Sequence, residues 1–401
     1  MTILTFVDYY LPGFKSGGPV RSVANLVERL GNDFRFVVVT TDRDCGDRRA
    51  YPGIRHGITQ RVGKAEVIYV SRSASPLPLV AHIVRQIRPS VLYLNSFFSR
   101  PFSIVPIVLR RLRLIPWSPV VLAPRGEFSP GAVNIKPKRK QAFLTASAVL
   151  RLHDDITWQA SSAYEEEDIR RCIPGLAHDQ MSKIVVAPIV VAPDVVETSP
   201  LSNLHSAARR KIRDSLRIVF LSRVTRKKNL VTALRVLQQV RGRVEFSICG
   251  PIEDADYWRQ CQQVIQTLST NVTVHYLGAV APADVPTVLA QHDLFFFPTL
   301  GENYGHVILE ALMAGCPVLL SDQTPWRHLT EDGVGWDLRL DRPDRFREVL
   351  EQCIAMDDAT FGVWSERAAA YGLRKASDPR AVEANRRLFR AVAGSEVALA
   401  S

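Results

Sequence analysis

The chain has 401 residues, 46% apolar and 23% charged, with a formal net charge of +11. That length exceeds one ordinary core and predicts two domains, and the composition excludes a disordered, fibrous or disulfide-stapled chain. No apolar run reaches the roughly 18 residues of a membrane span, and residues 1–8 read as a strand without a basic leader, so export is not expected.

In chain order, strands are predicted at 2–8, 34–41, 66–71, 91–95, 119–123, 156–160 and 183–187. Residues 19–31 read as a helix, with Val20, Val23, Val27 and Leu30 at helical spacing, Pro19 in the first turn and Gly31 at the end. A segment at 193–216, with Pro193, Pro200 and a basic run, breaks this pattern and reads as a linker. Alternation then resumes with strands at 217–222, 244–249, 272–277, 293–298 and 317–321 and helices at 229–241, 254–268, 282–291 and 304–314. A last helix covers 379–392. Strand–helix alternation of this kind predicts α/β architecture: two doubly wound, Rossmann-like domains. The expected division is 1–192, a linker at 193–216, 217–378, and a C-terminal helix at 379–401 that crosses back to the first domain.

The six cysteines, Cys45, Cys172, Cys249, Cys261, Cys316 and Cys353, show no metal or disulfide spacing, which suits a reducing cytoplasm. The positive charge is lopsided: residues 1–192 hold 26 Lys/Arg against 15 Asp/Glu, and the remainder is balanced at 25 each. An anionic surface or polyanion is one reading of that asymmetry and a well-solvated face the other. Its densest parts are Arg110–Arg113 and Lys136–Lys140, beside apolar helical stretches as in interfacial membrane binding. Nucleic acid is not expected, because no basic motif is interleaved with aromatics.

Ligands of open α/β sheets bind at the carboxyl ends of strands. After the strand at 293–298 comes Gly301-Glu302-Asn303-Tyr304-Gly305-His306, opening a helix that carries Glu310. Orphan N–H groups at such a helix start attract phosphate or hydroxyl oxygens. Glu302 and Glu310, about two helical turns apart, can address two ends of an elongated ligand; taken alone they also fit a capping acid and a solvated acid. After the strand at 217–222 come Arg223 and Lys228, suited to a diphosphate whose charge grows as a bond breaks. Gly17-Gly18-Pro19 follows the first strand, where glycine lets backbone approach a ligand; a tight turn explains it equally.

These residues carry a resemblance. Glu302 and Glu310 resemble the Glu-x7-Glu signature of glycosyltransferase family 4, retaining enzymes of the GT-B fold, with two Rossmann-like domains facing a cleft. The resemblance implies that Glu302 contacts the transferred sugar, Glu310 the nucleotide ribose, and Asn303, Tyr304 and Gly305 the donor through backbone amides. Arg223 and Lys228 match the family's Arg-x4-Lys pair over the pyrophosphate. Gly17 and Gly18 match its glycine-rich loop, and Gly250 and Leu277 the segments bordering the base. Asn229 stands where glycine is common, Asn95-Ser96 where many members have His, and His306 where Leu is common. His306 therefore reads either as a donor contact or as an exposed helix-face residue.

Arg125 and Glu127, in Pro124-Arg125-Gly126-Glu127, are expected with Asn95 to face the acceptor or sugar, or else to form a turn with a salt bridge. Asp42-Arg-Asp44 and Asp254-Ala-Asp256 offer no further metal ligand, so neither a metal nor another cofactor is expected. The implied activity is retaining, metal-independent transfer from a nucleotide-diphosphate sugar to a glycan or polyprenyl-phosphate-linked acceptor. The expected setting is exopolysaccharide or cell-envelope glycan synthesis, in the cytoplasm or at the inner membrane face. An epimerase-type enzyme and a non-catalytic nucleotide-sugar binder are the rivals. A dinucleotide dehydrogenase is disfavoured, since no Gly-x-Gly-x-x-Gly follows the first strand.

Overall fold

The computed structural model describes residues 1–71, 74–133, 137–173, 184–186 and 210–394. The chain divides into two compact units, Met1–Ala192 with Asp378–Ser401, and Pro193–Ser377. Of the linker expected at 193–216, residues 193–209 lie outside the described residues, as does Lys136.

The first unit is built on an eight-stranded sheet. Its strands are β1 (Thr2–Phe6), β2 (Arg35–Thr41), β3 (Thr59–Val62), β4 (Ala65–Val70), β5 (Val91–Leu94), β6 (Val120–Leu122), β7 (Ile156–Ala160) and β8 (Ile184–Val186). They run in the order β3-β4-β2-β1-β5-β6-β7-β8, parallel except for β3 on β4. A parallel sheet covered on both faces demands near-continuous apolar strands, and β2 is buried from Phe36 to Thr41. Successive side chains take opposite faces. Leu4 and Phe6 enter one core with Val80, Val84 and Trp158, while Ile3 enters the other with Val23, Val27 and Phe36.

That second core is closed from far along the sequence. The helix Pro379–Gly394 seats Leu388, Phe389 and Val392 in it. The Phe389 ring meets Phe34, Phe36 and Tyr93 edge-on, at centroid distances of 5.9, 6.2 and 5.1 Å.

The second unit has six parallel strands: β9 (Ser215–Leu221), β10 (Arg243–Cys249), β11 (Val272–Gly278), β12 (Leu294–Phe297), β13 (Val318–Ser321) and β14 (Gly335–Leu338). Their order, β11-β10-β9-β12-β13-β14, is the Rossmann order. The expected helix at 304–314 begins later, at His306, because Gly305 takes a left-handed φ of 77°. The expected helix at 229–241 spans Leu230–Leu237, followed by tight turns into Gly242 at φ 92°. At 282–291 a 3-10 turn, Pro282–Asp284, precedes the helix Val285–Ala290. Ser215 and Leu216, assigned to the linker from sequence, already belong to β9.

Candidate functional site

In the second sheet the strand order reverses between β9 and β12, and ligands of such sheets gather outside the carboxyl ends at that reversal. The two loops leaving there are 222–229 and 298–305, the two constellations singled out from sequence. They are laced together. Lys228 donates to a carboxylate oxygen of Glu302. The Leu300 N–H donates to the Lys227 carbonyl at 2.8 Å, and the Thr299 hydroxyl to the same carbonyl at 3.1 Å. Thr299 Oγ1 also lies 3.3 Å from Glu302 Oε1, and the Asn229 amide donates to the Pro298 carbonyl at 2.9 Å. The Lys228 and Glu302 side chains are 13% and 12% exposed, shielded enough to strengthen their attraction yet open at one side.

Asn229, where the resembling family commonly has glycine, takes a backbone that glycine enters most easily. It sits at φ 58°, the left-handed region that asparagine enters more readily than other side chains. Arg223, expected over a diphosphate, holds Glu253 through one terminal nitrogen, at 2.8 and 2.9 Å. Gly250 leaves β10 with φ 141°, and a Cβ there would lie 1.9 Å from the Ser222 carbonyl oxygen. The loop after β10 therefore runs directly against the start of the Arg223 loop. The Gly250 N–H donates to the Gly278 carbonyl at 2.6 Å, while Leu277 stays exposed beside Tyr276.

Past Glu302, the Tyr304 carbonyl accepts from the Trp326 indole at 2.5 Å. His306 is buried, edge-on to Tyr304 at 5.1 Å, which corrects the exposed helix-face alternative. Glu310 lies about one turn along the helix His306–Met313 and is partly buried. Asn303, in the loop before that helix, is partly exposed.

The first unit has the same reversal, between β1 and β5. Gly17, at φ 72°, precedes the helix Gly18–Leu30. The loop after β6 places Arg125 at φ 56°, a left-handed backbone uncommon outside glycine and asparagine. Arg125 and Glu127 take separate partners rather than each other. Arg125 donates to Asn95 Oδ1, at 2.7 Å from Nη2 and 3.1 Å from Nε, and to the Tyr93 hydroxyl. Glu127 accepts from the Ser96 hydroxyl at 2.8 Å and from the Phe97 and Phe98 amides at 2.5 and 3.2 Å. Burial raises its pKa above the ordinary carboxylate value, and those hydrogen bonds oppose the rise.

A buried relay continues from Arg125. Tyr93 donates to Gln159 at 2.6 Å, and Gln159 donates to Asn385 on the C-terminal helix at 2.8 Å. Asn95, almost fully buried, leaves its Nδ2 without a partner. Sequence reasoning missed Tyr93, Gln159 and Asn385, because 226 residues separate the last two and no local spacing links them. Thr299 adjoined the motif and was within reach of it.

Both acidic triplets are otherwise engaged. Asp42 pairs with Arg43 and His56 at 2.7 and 2.9 Å. Asp44 accepts from the Phe14, Lys15 and Cys45 amides, and Asp254 caps a helix through the Tyr257 amide at 2.9 Å. No group of three metal-ligating side chains occurs among the described residues, and no helix among them is long and apolar enough to cross a membrane.

The profile of the family described as glycosyl transferases group 1 matches residues 203–360. That match covers β9 to β14 with both constellations. The chain is 25% identical over 200 residues to the O-antigen chain mannosyltransferase B of Escherichia coli, an alignment covering 48% of this chain and 50% of that protein. It is 26% identical over 148 residues to the GPI3 subunit of the phosphatidylinositol N-acetylglucosaminyltransferase of Saccharomyces cerevisiae, covering 36% of this chain and 32% of that one. The chain thus spans half or less of the curated relatives it matches. Among solved structures, Anabaena HepE in complex with UDP and glucose superposes with a TM-score of 0.69 at 19% identity, over 98% of this chain and 100% of that chain. Sucrose-phosphate synthase from Thermosynechococcus elongatus gives 0.70 at 14%, over 97% and 99%. At such identities the likeness establishes the fold: two Rossmann-like α/β units of the GT-B class.

Proposed function

We propose that this chain is a glycosyltransferase that moves a sugar from a nucleotide-diphosphate donor to an acceptor hydroxyl, with retention at the anomeric carbon and without a metal. The observation that carries this is the convergence of Lys228 and Glu302, from two different loops, at the strand-order reversal of the second sheet. A cation and a carboxylate sharing one partly shielded position suit a donor that is anionic at its diphosphate and rich in hydroxyls at its sugar. HepE, a structural neighbour, was solved with UDP-glucose. The profile match over the same residues supports the same reading.

In this mechanism the bond from the anomeric carbon to the diphosphate oxygen breaks, and charge builds on the leaving group. Lys228 and Arg223 stabilise that charge, a role in which losing one preorganised donor costs on the order of 10²–10³ in rate. Glu302 orients the sugar hydroxyls, and Glu310 holds the ribose. Backbone amides at Asn303, Tyr304 and Gly305 hold donor oxygens, with His306 beside them, while Gly250 and Leu277 border the base. Gly17 and Gly18, at the start of the helix Gly18–Leu30, are suited to binding a phosphate oxygen. The acceptor hydroxyl attacks the same face that the diphosphate leaves, and its proton passes to the departing oxygen. Arg125 and Asn95 meet the acceptor, a glycan or polyprenyl-phosphate-linked sugar, at the cytoplasmic face of a membrane. Glu127 shapes that loop from beneath. Exopolysaccharide or envelope-glycan assembly is the setting.

The test is thermal-shift binding of UDP-, GDP- and ADP-sugars in EDTA, for the wild type and for Arg223→Ala. Stabilisation by one diphosphate sugar, much reduced in the variant, is expected. Donor binding without turnover under any acceptor would leave a binding protein, and donor conversion without an acceptor would leave an epimerase-type enzyme. No stabilisation by any donor would overturn the reading.

A further inference from the structure

The chemistry above makes no use of residues 322–328, the loop that leaves β13. This loop lies against the one that carries Glu302, and the two are tied at three points. The Glu302 N–H donates to the Gln323 carbonyl at 3.0 Å. The Ser321 hydroxyl, at the end of β13, donates to the Thr299 carbonyl at 2.5 Å, and the Trp326 indole N–H to the Tyr304 carbonyl at 2.5 Å. Trp326 is 6% exposed, its ring against Tyr304 at 5.5 Å and against Tyr371 of the helix Asp358–Ala376 at 6.4 Å. The loop also braces itself. The Trp326 N–H donates to the Thr324 hydroxyl at 3.3 Å, and Arg327 donates to the Asp322 carbonyl. The indole is therefore delivered from a fixed support.

Backbone N–H groups away from water are almost always paired, so each one in the Glu302 loop can be followed to its acceptor. Leu300 donates to the Lys227 carbonyl, Gly301 to the Thr299 hydroxyl and Glu302 to the Gln323 carbonyl. The Tyr304 and Gly305 N–H groups have no acceptor among the described residues. The peptide joining these two residues is trans, and in a trans peptide the carbonyl and the following N–H point to opposite sides. Holding the Tyr304 carbonyl on the Trp326 side thus turns the Gly305 N–H away from it. Gly305 itself does not hold the peptide. At φ 77° it occupies a region that glycine enters freely, and a glycine on one side lets a peptide turn over as a unit at small cost. Turned over, the same peptide would present a carbonyl oxygen in place of the N–H and repel an anionic ligand.

We propose that Trp326 is a positioning residue for the nucleotide-sugar donor. Its indole N–H locks the Tyr304–Gly305 peptide in the orientation that offers the Gly305 N–H to a donor oxygen. The role rests on the donor site proposed above, and it needs no acceptor to be measured. Trp326 touches no reacting atom in this scheme and acts only through the peptide it holds.

The test is donor affinity in Trp326→Phe, which keeps a ring between Tyr304 and Tyr371 and removes the N–H. Among UDP-, GDP- and ADP-sugars in EDTA, the one that stabilises wild type should bind the variant about tenfold more weakly. That is the order expected when a buried carbonyl has lost its partner in the binding-competent orientation. Tyr371→Leu is the control for packing: it takes a ring from beside Trp326 and leaves the indole N–H in place. It should melt earlier than wild type and bind the donor as wild type does. A second readout comes from the wild-type chain, whose six tryptophans give six indole N–H resonances, one of them absent from Trp326→Phe. An N–H that donates to an anion polarises the carbonyl of its own peptide, so the donor should move the Trp326 resonance downfield. Equal donor affinity in wild type and Trp326→Phe, or equal losses in Trp326→Phe and Tyr371→Leu, would overturn the role and leave the donor site standing. A Trp326 resonance unmoved at saturating donor would do the same. A wild type that binds no nucleotide sugar would overturn both.

Discussion

Replacing Gly250 by alanine tests whether the close approach of two loops sets the geometry of the Arg223 site. The new Cβ would lie 1.9 Å from the Ser222 carbonyl oxygen and 2.5 Å from its carbon, where contacts under 3.0 Å essentially never occur. Both obstacles are backbone atoms, so Ser222 must retreat by about 1 Å and carry Arg223 with it. A misplacement of that size costs on the order of 10² in rate when the displaced group orients a reacting centre. The alanine must also hold a φ near 141°, at a cost of about 1–3 kcal/mol in stability. Gly278→Ala is the control. It too has a left-handed φ, 72°, but nothing lies within 4 Å of its Cβ, so it carries strain without displacement. The assays are donor-dependent release of nucleoside diphosphate and thermal-shift binding of the same donor. Gly250→Ala should lose about 10² in turnover while Gly278→Ala stays within a few-fold of wild type. Equal turnover in the two variants would refute the argument from loop contact.

Phe389→Ala removes a fully buried ring from the second core of the first unit and should cost about 3–5 kcal/mol; urea unfolding should show the first unit's transition shifted and the second unit's unmoved. Asn385→Leu removes the acceptor of a buried hydrogen bond from Gln159 and should cost about 1–3 kcal/mol, measured the same way. Burial lowers the His153 pKa to about 4, against a partial offset from Asp154 and Asp155. Because the folded-state value is depressed, protonation favours the unfolded chain. The stability held above the unfolded value near 6.5 should therefore fall by about 2–3 kcal/mol as pH drops towards 4. His153→Phe, which keeps an aromatic ring against Phe97, should flatten that loss in urea midpoints compared between pH 7 and pH 4.5.

The fold was legible where burial wrote it into the sequence. Parallel strands covered on both faces leave apolar runs such as 36–39 and 294–297, and these were found within a residue or two. β3 escaped because its Thr59–Val62 is polar and half-exposed, and it is a strand only by pairing with β4 across the Gly63 turn. β14 escaped because it opens on glycine, which lies so close to β13 that a Cβ would sit 2.2 Å from the Val318 carbonyl oxygen. The Arg223–Lys228 and Glu302–Glu310 constellations could be read because each is contiguous in sequence. That Lys228 meets Glu302 required the sheet order, and the relay from Arg125 to Asn385 required the three-dimensional path of the chain.

The return of the C-terminal helix bears on the order in which the protein forms on the ribosome. The core around Phe34, Phe36 and Tyr93 waits for Phe389, so the first unit to begin synthesis is the last able to finish. Residues 210–377 emerge complete while the earlier sheet still shows an uncovered aromatic face. Domains generally fold in order of emergence. Here the first unit's core gains its last aromatic ring only after the second unit has been made, so the nascent chain carries that aromatic face without Phe389 through the whole of the second unit's synthesis.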